Sequence, residues 1–273
     1  MTPNDAPATA TPALEARGAT VAYGERTVLD GLDVALPAGR VTAIVGANAC
    51  GKSTLLRALA RIVPLRAGEV RLAGEDVSAL APRALARRLG FLPQSPVPPE
   101  GLSVRELVAR GRFPHLRLGR RPSAEDRERV AWALAATATE ELAERPLEAL
   151  SGGQRQRAWI AMALAQDTEI LLLDEPTTYL DLAHQLDVLE LLRDLNRDQG
   201  RTVVMVLHDL NQAARYADHL VAMADGAVVA AGDPAATVDA GLVERVLGVR
   251  VRIVPDPVTG TPMAIPLGRS AAA

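Results

Sequence analysis

Short apolar runs alternate with amphipathic stretches through much of the chain. Residues 170–173 and 202–207 are compact and rich in leucine, valine or isoleucine, which is typical of buried strands. Residues 52–62 and 182–196 instead carry leucines at helical spacing, and in the second stretch Leu182 starts the apolar stripe. Strands alternating with amphipathic helices in this way predict an α/β fold.

Further strands and one short helix surround this alternation, bounded by glycine, proline and aspartate-glycine turns. The predicted strands are residues 15–22, 28–36, 68–73, 89–92, 219–223 and 227–231, and the predicted helix is residues 210–216. Near the end of the sequence, residues 249–254 and 262–266 predict a small hairpin.

Residues 95–165 differ from the rest because their pattern is mostly helical and follows a proline-rich entry. Ser103 with Glu106, and Ser123 with Asp126, each match the capping pattern that starts a helix. We therefore expect a helical insert within the α/β core.

Composition narrows the class of protein. The 273 residues are 48% hydrophobic and 23% charged, which fits a soluble globular chain, and the net charge of −3 argues against nucleic acid as a partner. The only cysteine, Cys50, excludes an intrachain disulfide and suits a reducing cytosol.

Residues 1–13 lack the features of a signal peptide and predict a disordered tail. Since no apolar run reaches membrane-spanning length, any membrane association would go through a partner.

A phosphate-binding loop is predicted at residues 46–53, which fit the pattern G-x-x-x-x-G-K-S. The apolar strand at residues 41–45 precedes it and a predicted helix follows, which is the context that distinguishes such a loop from a chance glycine turn. Its two glycines let the backbone wrap around phosphate. Lys52 would reach the β- and γ-phosphates, and the Ser53 hydroxyl would bind Mg²⁺.

Two carboxylates, Asp174 and Glu175, follow the apolar strand at residues 170–173. Placed beside the phosphate loop, Asp174 would hold Mg²⁺ through water and Glu175 would polarise an attacking water. A surface pair at a strand end is the alternative interpretation.

A second anion site is predicted far from the first. Ser151, Gly152, Gly153 and Gln154 open a predicted helix with small residues and free backbone N–H groups. Two anion sites so widely separated in one chain require an explanation.

The ordered motifs of this chain resemble those of ABC-type ATPases from about residue 14 onward. The motifs are residues 46–54, Gln94, residues 150–154, residues 170–175, residues 179–181 and His208. In that family the phosphate loop of one subunit and the Ser-Gly-Gly-Gln helix of another enclose one ATP. The resemblance thus explains the two anion sites as halves of composite sites.

The resemblance implies a role for each matching residue. It implies that ATP is bound by Tyr23, Gly46, Asn48, Ala49, Cys50, Gly51, Lys52, Ser53, Thr54, Ser151, Gly152, Gly153, Gln154 and Asp181. It implies that Mg²⁺ is held by Ser53, Gln94 and Asp174, and that catalysis depends on Glu175, His208 and Gln94.

Individual roles follow from the same resemblance. Tyr23 would stack on adenine, although a strand tyrosine at the edge of the core is the alternative. Gln94 would sense Mg²⁺ and the attacking water, and would transmit that state to a membrane partner. Ser151 and Gly153 would contact the γ-phosphate of ATP held by the other subunit. Asp181 would couple the two sites.

The remaining expectations concern His208 and three positions of the phosphate loop. His208 would point toward the γ-phosphate from the end of its strand. Ala47 replaces the proline and Ala49 the glycine that are common in the family. Alanine at position 49 is unfavourable if the backbone there has positive φ, but we expect binding to be retained. Cys50 is interpreted as a small spacer, with a redox role as the alternative.

Four stretches resemble one branch, the ATPase subunits of iron–siderophore importers, whose relatives also carry haem and cobalamin. These stretches are residues 105–115, 177–181, 208–213 and 255–263. The branch implies an ATPase that drives ferric siderophore import. The expected partners are a second ATPase subunit, with a homodimer favoured, two transmembrane permease subunits and, indirectly, an extracytoplasmic siderophore-binding protein. The expected location is the cytoplasmic face of the membrane.

The sequence also allows three alternative functions. These are the ATPase subunit of a haem or cobalamin importer, a soluble ABC ATPase outside transport, and an inactive regulatory subunit. Intact Lys52, Asp174, Glu175 and His208 argue against the last of these.

The expected fold is α/β, with a P-loop NTPase core of the ABC type, an N-terminal antiparallel β-subdomain and a helical insert. Residues 14–273 would form a single ABC ATPase domain. Its core and β-subdomain would be residues 14–94 and 166–248, its helical subdomain residues 95–165, and its C-terminal hairpin and tail residues 249–273.

Overall fold

In a computed structural model, the structure describes residues 11–96, 100–116 and 121–269. Most of the predicted tail at residues 1–13 therefore lies outside the described residues. Ala13, however, is buried, and its N–H donates to the Leu36 carbonyl oxygen at 2.9 Å, so it belongs to the folded part of the chain.

The described residues form twelve strands and nine α-helices. The strands are β1 (Leu14–Tyr23), β2 (Arg26–Leu36), β3 (Val41–Gly46), β4 (Ala67–Leu72), β5 (Glu75–Asp76), β6 (Leu89–Leu92), β7 (Ile170–Asp174), β8 (Thr202–Val206), β9 (His219–Ala224), β10 (Ala227–Gly232), β11 (Val249–Pro255) and β12 (Pro262–Arg269). The helices are α1 (Lys52–Leu59), α2 (Pro82–Arg88), α3 (Val104–Arg110), α4 (Ala124–Ala136), α5 (Gly152–Ala165), α6 (Leu182–Gln199), α7 (Leu210–Tyr216), α8 (Pro234–Thr237) and α9 (Ala240–Leu247).

The centre of the fold is a six-stranded sheet in the order β10-β9-β3-β8-β7-β6. All pairs are parallel except that of β10 with β9. Every residue of β3, β7 and β8 is buried, as expected for strands covered on both faces. Because the strands run parallel, their carboxyl ends meet at one edge of the sheet, and the loops that carry the candidate site begin there.

Alternate residues of β3 enter two different cores, in keeping with the two-residue period of a strand. Val41, Ala43 and Val45 join the cluster shared with the helices of the insert and with α6 and α7. Ile44 joins the cluster formed with α1 and with a second, antiparallel sheet of order β2-β1-β4-β5. The predicted α/β fold with an N-terminal antiparallel sheet is confirmed.

The insert is helical as predicted, and both predicted capping boxes are present, at Ser103 and Ser123. A buried ion pair joins Arg112 Nε to Asp126 Oδ1 at 2.9 Å, and Arg112 Nη1 donates to the Ala165 carbonyl oxygen at 2.9 Å. These contacts tie the segment after α3 to α4 and α5. Removal of one partner would leave a buried charge and cost about 3–5 kcal/mol.

Two helices differ in detail from the prediction. α1 ends at Leu59 rather than near residue 62, because Arg61 has a φ of 55° and its guanidinium donates to backbone carbonyl oxygens beyond the helix. Leu182 is 67% exposed, so the apolar stripe of α6 does not begin there. α6 continues to Gln199 and ends at Gly200, whose left-handed φ of 65° terminates it.

The C-terminal hairpin is confirmed as the antiparallel pair β11 and β12. It is attached to α7, where Asn211 Oδ1 accepts from the Ala264 N–H at 2.8 Å and Asn211 Nδ2 donates to the Ala264 carbonyl oxygen at 3.3 Å. Among the helices that the structure describes, none is both long and apolar enough to cross a membrane.

Candidate functional site

A cavity of about 430 Å³ lies at the carboxyl edge of the central sheet. Nine predicted site residues line it: Asn48, Ala49, Gly51, Lys52, Ser53, Thr54, Gln94, Glu175 and His208. They come from the loop after β3, the start of α1, and the segments after β6, β7 and β8. Sequence reasoning missed two further lining residues, Arg26 and Val28 on β2, because that strand reaches the cavity only through the packing of the second sheet.

The loop between β3 and α1 is shaped for close backbone approach. A Cβ atom on Gly46 would collide with the Met223 carbonyl oxygen, so only glycine fits there. The N-cap of α1 is Gly51, with a left-handed φ of 106° and no side-chain capping hydrogen bond. The N–H groups of the first turn therefore lack a side-chain partner among the described residues and can receive an anion, which the helix dipole also favours.

Lys52 supplies a buried positive charge to this loop. The residue is only 5% exposed, and its Nζ donates to the carbonyl oxygens of Gly46 and Ala47, each at 2.8 Å. Both acceptors are neutral, and an ammonium group has three protons to donate. A negatively charged ligand in the cavity can therefore compete strongly for this amine.

Behind the loop, Ser53 and Asp174 form a hydroxyl–carboxylate pair. Ser53 Oγ donates to Asp174 Oδ1 at 2.8 Å, while Asp174 Oδ2 is buried without a hydrogen-bond partner among the described residues. Burial raises the pKa of Asp174 above its ordinary value, whereas the Ser53 hydrogen bond and the charge of Arg57, whose Nη2 lies 4.0 Å from Oδ2, oppose that shift. Hard oxygen donors with an unused lone pair suit a small divalent cation such as Mg²⁺.

Glu175 is held by three side chains from separate loops. Glu175 Oε1 lies 2.6 Å from His208 Nε2, and Oε2 accepts from Gln94 Nε2 at 2.6 Å and from Thr178 Oγ1 at 3.1 Å. Its backbone φ of 54° is in the left-handed region, which costs a glutamate about 1–2 kcal/mol. The structure thus brings Glu175, Gln94 and His208 together at the mouth of the phosphate loop.

The second predicted anion site lies apart from this cavity. Ser151 is the N-cap of α5, where its Oγ accepts from the Gln154 N–H at 3.2 Å and its own N–H donates to Gln154 Oε1 at 3.1 Å. None of Ser151, Gly152, Gly153 and Gln154 lines the cavity of the phosphate loop. Gly152 instead lines a neighbouring cavity of about 290 Å³ with Gln94.

The five remaining predicted residues, Tyr23, Gly46, Cys50, Asp174 and Asp181, do not line the cavity. Gly46, Cys50 and Asp174 are buried beneath its surface. Tyr23 is 47% exposed at the end of β1, opposite Arg26, so it is free to meet a ligand that extends beyond the cavity. Asp181 is the N-cap of α6, and the backbone hydrogen bond from His184 lowers the pKa of its carboxyl group.

Comparison with known proteins agrees with this geometry. The family model described as ABC transporter matches residues 29–178. The chain therefore belongs to the ABC transporter family, and it is an ATP-binding and ATP-hydrolysing subunit. Cassettes of this family dimerise and join permeases.

Individual relatives resemble nearly the whole chain. The achromobactin transport ATP-binding protein of Dickeya dadantii is 52% identical over 257 residues, which cover 94% of this chain and 96% of that protein. The ferric enterobactin transport ATP-binding protein of Escherichia coli is 54% identical over 252 residues, covering 92% and 93%. A solved metal-chelate type ABC transporter in an inward-facing conformation gives a TM-score of 0.79 at 29% identity, covering 94% of this chain and 98% of that one.

Proposed function

We propose that this chain powers import of ferric siderophores by hydrolysing ATP, as one of two identical subunits on the cytoplasmic face of two permease subunits. The observation that carries the ATPase reaction is the meeting of Glu175, Gln94 and His208 above the phosphate loop. The siderophore cargo is supported by the two relatives at 52% and 54% identity, whose names give achromobactin and ferric enterobactin.

ATP would occupy the cavity with its phosphates in the loop of residues 46–53. The free N–H groups at the start of α1 and the Lys52 amine would hold the β- and γ-phosphates, with Lys52 exchanging its two carbonyl acceptors for phosphate oxygens. Tyr23 would stack on the base, and Arg26 and Val28 would border the ribose end of the cavity.

Ser53 and Asp174, with Gln94, would hold Mg²⁺. Asp174 Oδ2, which accepts no hydrogen bond from the described residues, and the Ser53 hydroxyl supply oxygen donors of the required kind. When bound, Mg²⁺ neutralises charge on the phosphate oxygens and so eases phosphoryl transfer.

Glu175 would act on the attacking water only after rearrangement. Both of its carboxylate oxygens are engaged, by His208 on one side and by Gln94 and Thr178 on the other. A γ-phosphate offers His208 a competing acceptor, so turning of His208 toward ATP would free Glu175 Oε1 to orient water. Hydrolysis would thereby be coupled to nucleotide binding.

A second subunit would complete each site. Because Ser151 and Gly153 lie outside the cavity of their own chain, the Ser151 hydroxyl and the N–H groups of Gly152 and Gly153 would be available to ATP held by a partner. Asp181, exposed at the start of α6, would connect the two sites across the dimer. Closure of the dimer would move the helical insert and, with it, the permease.

The ATPase proposal is tested by Glu175→Gln, which keeps the size of the side chain but removes its ability to accept a proton. We expect phosphate release to fall by about 10²–10³-fold while ATP binding persists. Equal hydrolysis by wild type and variant would refute the enzyme assignment. A Glu169→Gln variant, at an exposed site before β7, is the matched control.

The cargo is tested by uptake into vesicles that contain the complete transporter. Ferric siderophore, haem and cobalamin are compared at equal concentration with ATP supplied to the cytoplasmic side. We expect uptake of ferric siderophore, abolished by Glu175→Gln. Cobalamin or haem uptake without siderophore uptake would replace the proposed cargo while leaving the ATPase assignment intact.

A further inference from the structure

Two glutamine side chains tie the loop after Glu175 to the helix that follows His208. Gln185 Nε2 on α6 donates to the Leu180 carbonyl oxygen at 3.0 Å, and Gln212 Nε2 on α7 donates to Gln185 Oε1 at 2.9 Å. A backbone carbonyl can only accept, so the Gln185 nitrogen must face Leu180 and its oxygen must face Gln212. The direction of this chain of hydrogen bonds is therefore fixed from α7 towards the loop.

Both ends of the chain lie beside residues of the proposed ATP site. Leu180 lies between Tyr179, whose φ of 67° is left-handed, and Asp181, the N-cap of α6. Gln212 lies in the first turn of α7, and His208 comes just before that helix. The loop after Glu175 and the helix that follows His208 are thus joined through side chains although they leave different strands.

The link is partly buried along its length. Leu180 is buried, and Gln185 and Gln212 are half-buried. Hydrogen bonds in such a setting are stronger than exposed ones, and an unpaired partner is costly, so the two glutamines constrain each other. Neither glutamine lines the cavity of the phosphate loop, so any effect on turnover must pass through the groups they hold.

We propose that Gln185 and Gln212 are positioning residues that keep residues 179–181 in register with His208. The inference rests on the proposed ATPase function, in which Asp181 connects two subunits and His208 responds to the γ-phosphate. With the glutamine link intact, engagement of the loop by a second subunit and movement of His208 occur together.

Three substitutions separate this role from simple packing of α6 on α7. Gln185→Glu keeps the acceptor for Gln212 but loses the donor to Leu180, which cuts the chain at the loop. Gln212→Leu removes the donor to Gln185 Oε1 and so breaks the chain of hydrogen bonds at α7. Gln185→Glu combined with Gln212→Lys restores a bond between the helices as an ion pair but leaves Leu180 without its donor. Asn211→Ala is the matched control, because it removes two hydrogen bonds from the same turn of α7 on the side of the hairpin.

Steady-state kinetics give the first readout. For Gln185→Glu and for the double substitution we expect kcat to fall about two- to tenfold, the effect of one lost hydrogen bond, with KM changed by less than about twofold. Asn211→Ala should keep the wild-type kcat. Recovery of kcat in the double substitution would overturn the proposal, because it would assign the effect to packing of the helices. Wild-type kcat in Gln185→Glu would also overturn it.

Amide hydrogen exchange gives a readout that does not depend on hydrolysis. We expect faster exchange at residues 179–181 in Gln185→Glu and in the double substitution, but not in Asn211→Ala. Unchanged exchange in Gln185→Glu would overturn the positioning role even if the wild-type protein hydrolysed no ATP. Absence of wild-type ATPase activity would refute the proposed function separately, so the two failures are distinguishable.

Discussion

Two helices of this chain begin at anion-binding sequences, yet their first turns are built in opposite ways. α1 starts at Gly51 with no side-chain cap, whereas α5 starts at Ser151 with a complete capping box formed with Gln154. In α1 the unpaired N–H groups have no side-chain partner within the described part of the chain, and the buried Lys52 lies beside them. In α5 the Gln154 N–H is already satisfied, and the turn is exposed.

This difference indicates which of the two sites can bind ATP without a second subunit. An uncapped turn with a buried cation gains most when a phosphate arrives, so the α1 site can bind ATP within one chain. The capped turn at Ser151 is stable without ligand, and its hydroxyl accepts from Gln154 while keeping a proton to donate. We therefore expect this turn to receive a phosphate that a second subunit holds, as proposed above.

The largest effect is expected from Lys52→Ala, which should remove ATP binding itself. The substitution deletes the buried cation and leaves the Gly46 and Ala47 carbonyl oxygens without their donor. ATPase activity should fall by about 10²–10³-fold, and a fluorescent ATP analogue should no longer bind at micromolar concentration.

The composition of the chain provides a second test of the same residue. Lys52 is the only lysine in the sequence, so an amine-directed reagent can modify no other side chain of this type. We expect ATP to protect Lys52 from labelling, with peptide mapping separating it from the terminal amine. Equal labelling with and without ATP would contradict the placement of phosphate at this loop.

Ser151→Arg should have almost as large an effect on turnover, by a different route. A bulky cation at the exposed start of α5 would block approach of the second subunit but not the cavity of its own chain. We expect ATP affinity within about twofold of wild type and turnover reduced about 10²-fold or more. Light scattering in a Glu175→Gln background should show no ATP-dependent dimer. Lost ATP binding would instead mean that α5 belongs to the site of its own chain.

A smaller change, Ser151→Ala, compares two capping boxes of the same type. Ser103 caps α3 in a box with Glu106, to which its hydroxyl also donates at 3.0 Å, and it does not line the cavity. Each serine-to-alanine substitution should cost about 1 kcal/mol of unfolding free energy. Only Ser151→Ala should also reduce turnover, by about two- to tenfold through loss of one hydrogen bond to phosphate. Equal turnover in the two variants would deny the Ser151 hydroxyl a role beyond capping.

Much of the fold and of the site arrangement was predictable because it depends on local signals. The apolar runs gave the central strands, and the capping pairs at Ser103 and Ser123 marked the starts of α3 and α4. Parallel strands then bring their carboxyl ends to one edge, so Gln94, Glu175 and His208 meet although they are far apart in sequence.

Two short helices were missed although they carry local signals: Pro82 starts α2, and Asp239 and Gly248 lie at the two ends of α9. The remainder depended on packing between distant segments. Arg26 and Val28 reach the cavity only because β2 packs over it. The two-step link through Gln185 and Gln212 likewise joins helices whose contact no periodicity reveals.

The smallest expected effect concerns Ala49, for which the sequence alone could not show whether the backbone has positive φ. Its φ of 63° is left-handed, so alanine is strained there by about 1 kcal/mol. Ala49→Gly should relieve this strain, but glycine adds about 0.4–1 kcal/mol of unfolded-state entropy, so the net gain in stability is small. Ala138, with a φ of 49° and outside the cavity, is the matched control. Both glycine variants should shift the unfolding midpoint alike. A tighter ATP affinity in Ala49→Gly alone, by more than about tenfold, would mean that this strain opposes phosphate binding rather than shaping the loop for it.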